Sequence, residues 1–218
     1  MNSRDTLVTE LNVLADFQPV VPENYKEASV VMLGNLHPLT QLSVLEQMNS
    51  KPDLVILDTM NFWMDNALDD LHTVMKKIDV ITINDEEARQ LTGEYSLVVA
   101  ARKIYDMGPQ YVVIKKGEHG ALLFHEDNVF YAPALPLEEV FDPTGAGDTF
   151  AGGFAGYLAK TEDMSFENMK KAVIYGSTLA SFCVEKFGTE RMVNLKSDEV
   201  LKRLQQFKAL TQFEIELT

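Results

Sequence analysis

The sequence is poor in cysteine, in uninterrupted apolar stretches and in basic residues. Its 218 residues include a single cysteine, Cys183, so no disulfide can form within the chain and a reducing, cytoplasmic setting is expected. No segment approaches the roughly 18 consecutive apolar residues that a transmembrane helix needs. Nineteen Lys and Arg residues oppose 33 Asp and Glu residues, which gives a net charge of −14. This charge argues against nucleic acids and anionic membranes as partners.

Short apolar strands alternate with helical segments along most of the chain. Continuous apolar strands separated by helices are typical of parallel strands buried on both faces. We therefore predict an α/β fold of three layers, with a doubly wound, mostly parallel sheet whose ligands bind at the carboxyl ends of the strands. Strands are predicted at 30–34, 54–58, 80–83, 111–115, 121–124 and 129–132, and helices at 39–48, 65–77, 85–91, 97–107, 149–160, 165–187 and 197–210.

The most informative segment is 142–154, which reads Asp-Pro-Thr-Gly-Ala-Gly-Asp-Thr-Phe-Ala-Gly-Gly-Phe. Gly145 and Gly147 can adopt positive φ, so that successive N–H groups point to one place, where the next helix also directs its positive end. Asp148 lies at or next to the start of that helix. An anion cradle beside a carboxylate is what phosphoryl transfer to an alcohol requires. The alternative is a strand-to-helix connection capped by an Asp.

The helix after this turn contains Gly152, Gly153 and Gly156. Each glycine inside a helix costs about 1 kcal/mol relative to alanine. Three of them predict a close approach by another backbone or by a ligand. The small residues between Ala172 and Gly188 predict a helix that packs against this one.

Residues 142–150 closely resemble the C-terminal signature of the ribokinase-like, PfkB-type carbohydrate kinases. The resemblance implies that Asp148 is the general base that takes a proton from the acceptor hydroxyl. It also implies that the N–H groups of Gly145, Ala146 and Gly147 form the anion hole for the transferred phosphoryl group of ATP. In many relatives a monovalent cation such as K⁺ binds beside this hole, and Asp142 with the carbonyl of Thr144 would be its ligands here.

Asn84 to Glu87 follow the strand at 80–83. A helix cap explains these residues on their own, because Asn is a good N-cap and acidic residues suit the first turn. The resemblance adds a second interpretation, since the family carries an Asn-x-x-Glu motif at this point. Asn84 and Glu87 match it, and Glu87 would organise Mg²⁺ through its water shell.

Three further segments have counterparts in the family. Lys115, Gly117 and Gly120 match a Thr-x-Gly-x-x-Gly pattern that contacts nucleotide phosphates, except that Lys115 replaces the hydroxyl residue; a polar hairpin is the alternative. Ser177 and Gly188 fall in the helix and loop that would flank adenine. Asp58 to Asn61 lie where relatives often read Asp-x-Asn-x-Arg, but the spacing differs by one and the Arg is absent.

The resemblance covers nearly the whole chain but only the later part of the family's fold. We expect 1–218 to form one ribokinase-like core in which the lid and first strands are largely missing, as in a chain that starts at an internal Met. Residues 1–25 would supply the strand returning from the lid (Met1 to Asn12) and a linker. An uncovered sheet edge would then favour association, for example as a homodimer.

Two functions follow from these motifs. The first is an ATP-dependent, Mg²⁺-requiring kinase that phosphorylates a hydroxyl of a small-molecule sugar or nucleoside. The alternative is a nucleotide-binding fragment without catalysis, or a subunit that needs a partner to complete its acceptor site.

Overall fold

The structure, a computed structural model, describes residues 8–212. The contacts within this part divide it into two compact units. The first comprises 8–117 and 124–128, and the second comprises 118–123 and 129–212. The prediction of a single core over 1–218 stays a prediction.

Six strands form a mostly parallel sheet, as predicted, and they lie in the order of the sequence. The first four pair in parallel, with Val30 opposite Leu54, Ile56 opposite Val80, and Val80 opposite Tyr111. Their apolar residues are buried almost throughout, which explains their continuous apolar sequences. The strands are β1 Val30–Leu33, β2 Leu54–Asp58, β3 Val80–Asn84, β4 Tyr111–Lys115, β5 Ala121–His125 and β6 Asn128–Ala132.

The helices of the first unit alternate with β1 to β4. They are α1 Pro38–Glu46, α2 Asn61–Asn66, α3 Leu68–Met75, α4 Asp85–Thr92 and α5 Leu97–Tyr105. Helix α4 ends where predicted, at Gly93, which adopts φ +71° as the C-cap. The helix predicted at 65–77 is instead two helices, because Ala67 leaves the helical region at φ −149° and ψ 40°. The break lets Trp63 and Met64 as well as Leu71, Val74 and Met75 be buried.

The helices of the second unit are α6 Ala146–Thr161, α7 Phe166–Cys183, α8 Glu190–Val193 and α9 Ser197–Thr211. Helix α7 ends four residues before the predicted 187, and α8 was not predicted. Helices α6 and α7 pack closely, as the small residues of 172–188 predict. A Cβ on Gly153 would lie 2.9 Å from Leu179 Cδ1, and one on Gly176 would lie 2.7 Å from the carbonyl oxygen of Phe150.

Of the three glycines inside α6, close packing against α7 explains only Gly153. A Cβ at Gly152 or at Gly156 would meet nothing within 4 Å among the described residues. The expectation of a close approach by another backbone is therefore wrong for these two glycines, and an approach by a ligand stays a prediction.

The predicted lid strand is not seen in the part of it that the structure describes. Residues 8–25 contain two short 3₁₀ helices, Asn12–Leu14 and Glu23–Tyr25, and no strand. Val8 and Val13 are 74% and 85% exposed, so the partial alternation of this segment has no buried face to stabilise a strand. Residues 1–7, which belong to the same prediction, lie outside the described residues. No helix within 8–212 is long and apolar enough to cross a membrane.

Candidate active site

The glycine-rich turn leads directly into α6. Gly145 is the N-cap of the helix at φ +79° and ψ 0°, a left-handed conformation that favours glycine. The helix begins at Ala146, three residues before the predicted start, so Gly147 is helical and does not use positive φ. Asp148 is consequently the third residue of α6, in its first turn.

The backbone donors of this turn are only partly used within the protein. The N–H of Ala146 donates to the carbonyl of Pro143 at 3.2 Å, and the N–H of Thr149 donates to the carbonyl of Gly145 at 2.8 Å. The N–H groups of Gly145, Gly147 and Asp148 make no hydrogen bond with any residue from 8 to 212. Three unpaired donors at the positive end of a 16-residue helix suit an anion.

The carboxylate of Asp148 is exposed. It forms neither a hydrogen bond nor an ion pair with another residue in the described part of the chain. It does not cap α6, since the N-cap is Gly145 and no side chain caps the helix. The interpretation of this Asp as a simple N-cap is therefore wrong, and its carboxylate is available to solvent or to a bound alcohol.

The C-terminal end of α7 supports the turn from the other side. The N–H of Phe141 donates to the carbonyl of Val184 at 2.9 Å, and the thiol of Cys183 lies 3.8 Å from the carbonyl oxygen of Thr144. A Cβ on Gly145 would lie 3.9 Å from the same sulfur. Cys183 is 4% exposed, so its thiol is buried beneath the turn.

Asp142 fixes the start of the turn. Its Oδ1 accepts the N–H of Thr144 at 2.9 Å. This backbone hydrogen bond is the main cause that lowers the pKa of Asp142, with smaller contributions from the Thr144 hydroxyl and the backbone of Gly188. Gly188 itself has φ +57° in the connection between α7 and α8, and Ser177 is half-buried in α7.

Asn84 and Glu87, in the first unit, form a reciprocal capping box. Asn84 Oδ1 accepts the N–H of Glu87 at 2.8 Å, and Glu87 Oε2 accepts the N–H of Asn84 at 2.8 Å. Glu87 is 7% exposed. The interpretation of this motif as a helix cap is confirmed, and a role of Glu87 toward Mg²⁺ stays a prediction.

Lys115 ends β4 and forms an ion pair that the sequence did not predict. Its Nζ lies 3.2 Å from Asp58 Oδ1 and 3.3 Å from Asp58 Oδ2. The side chains are 17% and 7% exposed, respectively. Asn84 is the register partner of Lys115, so a predicted metal-organising residue and a predicted phosphate-binding residue are neighbours at the carboxyl edge of β3 and β4.

The two glycines after β4 both adopt left-handed backbone conformations. Gly117 has φ +55° and Gly120 has φ +80°. A Cβ on Gly120 would collide with the carbonyl oxygen of Ala132. The predicted turn is therefore confirmed at each position, whereas contact with nucleotide phosphates remains a prediction.

Polar groups around the ends of β1 and β2 were not found by sequence reasoning. Trp63 Nε1 donates to Asn35 Oδ1 at 2.8 Å, and Gln41 Nε2 donates to the carbonyls of Gly34 and Asp58 at 2.7 and 3.2 Å. Gln41 Oε1 and Thr59 Oγ1 are buried and have no hydrogen-bond partner among the described residues. The available signal was the buried carboxylate at the end of β2, which needs polar neighbours.

Comparison with known proteins identifies the class of molecule. Residues 7–195 match the pfkB family carbohydrate kinases. The chain is 36% identical over 144 residues to the cytidine kinase of Thermococcus kodakarensis. The matched segment covers 63% of this chain and 50% of that enzyme. The chain therefore belongs to the pfkB family of carbohydrate kinases, and the resemblance inferred from residues 142–150 is confirmed.

Solved structures agree with the α/β fold class. The ribokinase of Arabidopsis thaliana, complexed with ribose and ATP, superposes with a TM-score of 0.68 at 26% identity, covering 86% of this chain and 61% of that one. The Escherichia coli protein assigned as ribokinase II, in complex with ATP and Mg²⁺, gives 0.70 at 20% identity, with 85% and 62% covered. The chain thus spans about half the length of the cytidine kinase and less than two thirds of these structures.

Proposed function

We propose that the protein is an ATP-dependent kinase that phosphorylates a hydroxyl group of a sugar or a nucleoside. The observation that carries the proposal is the turn at the N-terminus of α6, where unpaired N–H groups adjoin the exposed carboxylate of Asp148. Membership of the pfkB family supports the reaction class. The acceptors named for its relatives, cytidine and ribose, support the substrate class.

Asp148 acts as the general base. An acceptor hydroxyl donates to its carboxylate and loses its proton to it as the hydroxyl oxygen bonds to the γ-phosphorus of ATP, while the bond from that phosphorus to the β,γ-bridging oxygen breaks and ADP leaves. The position of Asp148 in the first turn of α6 supports this role, because no described residue competes for its carboxylate.

The N–H groups of Gly145, Ala146 and Gly147 stabilise the charge on the transferred phosphoryl group. Two of these donors have no partner within 8–212, and Ala146 shares its N–H with the carbonyl of Pro143. The N–H of Asp148, which the sequence did not suggest, is a third donor in the same turn without a partner in that part of the chain.

Magnesium would enter with the nucleotide. Residues 8–212 contain no cluster of three or more His, Cys, Asp or Glu side chains that could hold a metal alone. One buried carboxylate, that of Glu87, fits Mg²⁺ held mainly by phosphates and water, a common arrangement for this ion. Bound Mg²⁺ would neutralise charge on the phosphates, while Asn84 keeps Glu87 oriented through the capping box.

The remaining predicted residues complete the proposal. Lys115, Gly117 and Gly120 bind nucleotide phosphates, and Ser177 and Gly188 border the adenine. Asp142 and the Thr144 carbonyl would hold a monovalent cation such as K⁺. Each of these two groups already accepts one hydrogen bond, and a carbonyl or carboxylate oxygen can accept another interaction.

Mg-ATP calorimetry followed by a phosphate-transfer screen on sugars and nucleosides tests the function. We expect binding and transfer to at least one acceptor, with cytidine and ribose among the first compounds to try. Absence of Mg-ATP binding would refute the nucleotide site. Binding without transfer to any acceptor would favour the alternative, a nucleotide-binding subunit whose acceptor site needs a partner. The half-length coverage of the cytidine kinase motivates that alternative.

A cytoplasmic location and a homodimer remain predictions.

A further inference from the structure

Asp58 and Lys115 form a buried ion pair at the carboxyl ends of two strands of the first unit. We propose that Asp58 is a positioning residue that holds the ammonium of Lys115 and competes for it with a phosphate group of the nucleotide. The proposal rests on the proposed function, in which Lys115 binds nucleotide phosphate. It goes further by assigning a role to Asp58, which sets how strongly that phosphate is held.

The pair spans one strand of the sheet. Asp58 ends β2 opposite Thr82 of β3, and Lys115 ends β4 opposite Asn84 of β3. The lysine side chain therefore reaches back across β3 to place its Nζ 3.2 and 3.3 Å from the two carboxylate oxygens. Both ammonium and carboxylate lie at the edge where ligands bind in sheets of this type.

The energetics of the pair favour a functional role over a purely stabilising one. Removing two charges from water costs several kcal/mol per ion, and their attraction roughly offsets this cost without a net gain. At 17% and 7% exposure, both side chains are largely out of water. Replacing a buried ion pair by well-packed apolar residues is often neutral or stabilising. A lysine oriented beside Asn84, by contrast, is prepared for an anion.

Lys115 is also the position at which its segment departs from the family pattern, since it stands where the hydroxyl residue of the Thr-x-Gly-x-x-Gly pattern is expected. Asp58 begins a segment that differs from its own pattern in spacing and in the absent Arg, not at the Asp itself. The structure pairs the lysine that replaces the hydroxyl residue with this Asp.

Exchange of partners is possible without leaving Asp58 unsatisfied. Its Oδ1 also accepts the N–H of Thr59 at 3.1 Å, a bond that does not involve Lys115. A phosphate carries more negative charge than one carboxylate, so it can draw the ammonium away while Asp58 keeps a donor. Under this competition Asp58 weakens nucleotide binding, in contrast to a residue that merely supports the fold.

The test is a double-mutant cycle on Mg-ATP affinity measured by calorimetry. Asp58→Asn keeps the shape of the side chain and removes the competing charge, so we expect Kd to fall about tenfold, which corresponds to about 1.4 kcal/mol. Lys115→Met should raise Kd by a similar factor. In the double variant Kd should match that of Lys115→Met alone, because Asp58 acts only through the lysine.

Several outcomes would overturn the proposal. An unchanged or higher Kd for Asp58→Asn would do so, as would a tighter Kd that persists in the Lys115→Met background. If Asp58→Asn does not fold, as judged by thermal unfolding, the Kd values of adenosine and of Mg-ATP are compared in the wild type and in Lys115→Met. Loss of affinity for Mg-ATP alone is expected, whereas an equal loss for both ligands contradicts the exchange.

These results remain distinct from a failure of the proposed function. If the wild-type chain binds no Mg-ATP, both proposals fail together. If it transfers phosphate but Asp58→Asn has no effect on Kd, only the role of Asp58 fails.

Discussion

The Glu87 carboxylate lies 2.8 Å from the backbone N–H of Asn84, and the Asn84 side chain returns the bond to the N–H of Glu87 at the same distance. Glu87 therefore has a structural task at the start of α4 whether or not it also acts on Mg²⁺. The two tasks make different demands, since capping needs an acceptor oxygen and Mg²⁺ needs a negative charge.

Substitution of Glu87 can separate the two tasks. Glu87→Gln keeps an acceptor for Asn84, so we expect unfolding free energy to change little while the Mg²⁺ concentration needed for half-maximal transfer rises several-fold. Glu87→Ala removes both, and a stability loss of about 1 kcal/mol is expected in addition. Unchanged Mg²⁺ dependence in Glu87→Gln would leave the residue with capping alone.

Asp148→Asn should lower kcat by about 10²- to 10⁴-fold while the Kd of Mg-ATP stays nearly constant, because a base acts only on the acceptor proton. Asp198→Asn is a matched control, since Asp198 lies in the first turn of α9 and its contact among the described residues is an exposed ion pair with Lys202. Steady-state kinetics and calorimetry measure the two quantities. Near-normal turnover of Asp148→Asn would eliminate the base assignment.

Two Gly→Ala substitutions near the start of α6 should have opposite effects on stability. Gly145→Ala forces a Cβ into φ +79° and should cost about 1–2 kcal/mol of unfolding free energy. Gly152→Ala places its methyl group in open space within the helix and should stabilise by about 1 kcal/mol. Chemical denaturation measures both. Equal effects would contradict the left-handed conformation at Gly145.

The lowered pKa of Asp142 predicts a pH-dependent contribution to stability. A carboxyl whose pKa is lower in the folded protein stabilises it above the ordinary value of 3.8, and this contribution disappears as pH falls through the lowered pKa. Asp142→Asn should therefore reduce unfolding free energy at neutral pH but not in strong acid. A stability difference that persists unchanged in acid would contradict this prediction.

Asp163 provides the control for the turn itself. It accepts the N–H of Ser165 at 2.9 Å in the same manner as Asp142 accepts that of Thr144, and its pKa is lowered for the same reason. We expect Asp163→Asn to show the same pH dependence of stability. Only Asp142→Asn should also reduce phosphate transfer, because only Asp142 shapes the turn before α6.

The parallel strands were predicted well from local sequence, because a continuous run of apolar residues indicates a strand that is buried on both faces. Gly93 likewise predicted the end of α4 through its left-handed backbone. The start of α6 was predicted three residues late, since Ala146 and Gly147 looked like loop residues. In the first turn of a helix, however, the N–H groups have no partner within the helix in any case, whether or not the residue is a glycine.

Long-range pairing could not be obtained in this way. Asp58 and Lys115 are 57 positions apart, and no local pattern links them. The sheet order would have brought both charges to one edge, but the choice of partner depends on how far a lysine reaches across β3. The break at Ala67 was missed for a related reason, because the helical spacing on either side continues through it.

The contact between Gly153 of α6 and Gly176 of α7 has a consequence for how this chain can vary. A Cβ on Gly153 would lie 3.2 Å from the Cα of Gly176 and 2.9 Å from Leu179 Cδ1, so the close separation of the two helices depends on glycine at both positions. Substitutions elsewhere in the two helices can therefore accumulate without moving Asp148, which lies little more than one turn before Gly153. A change in acceptor preference would then come from substitutions around Asp148, while the position of its carboxylate stays the same.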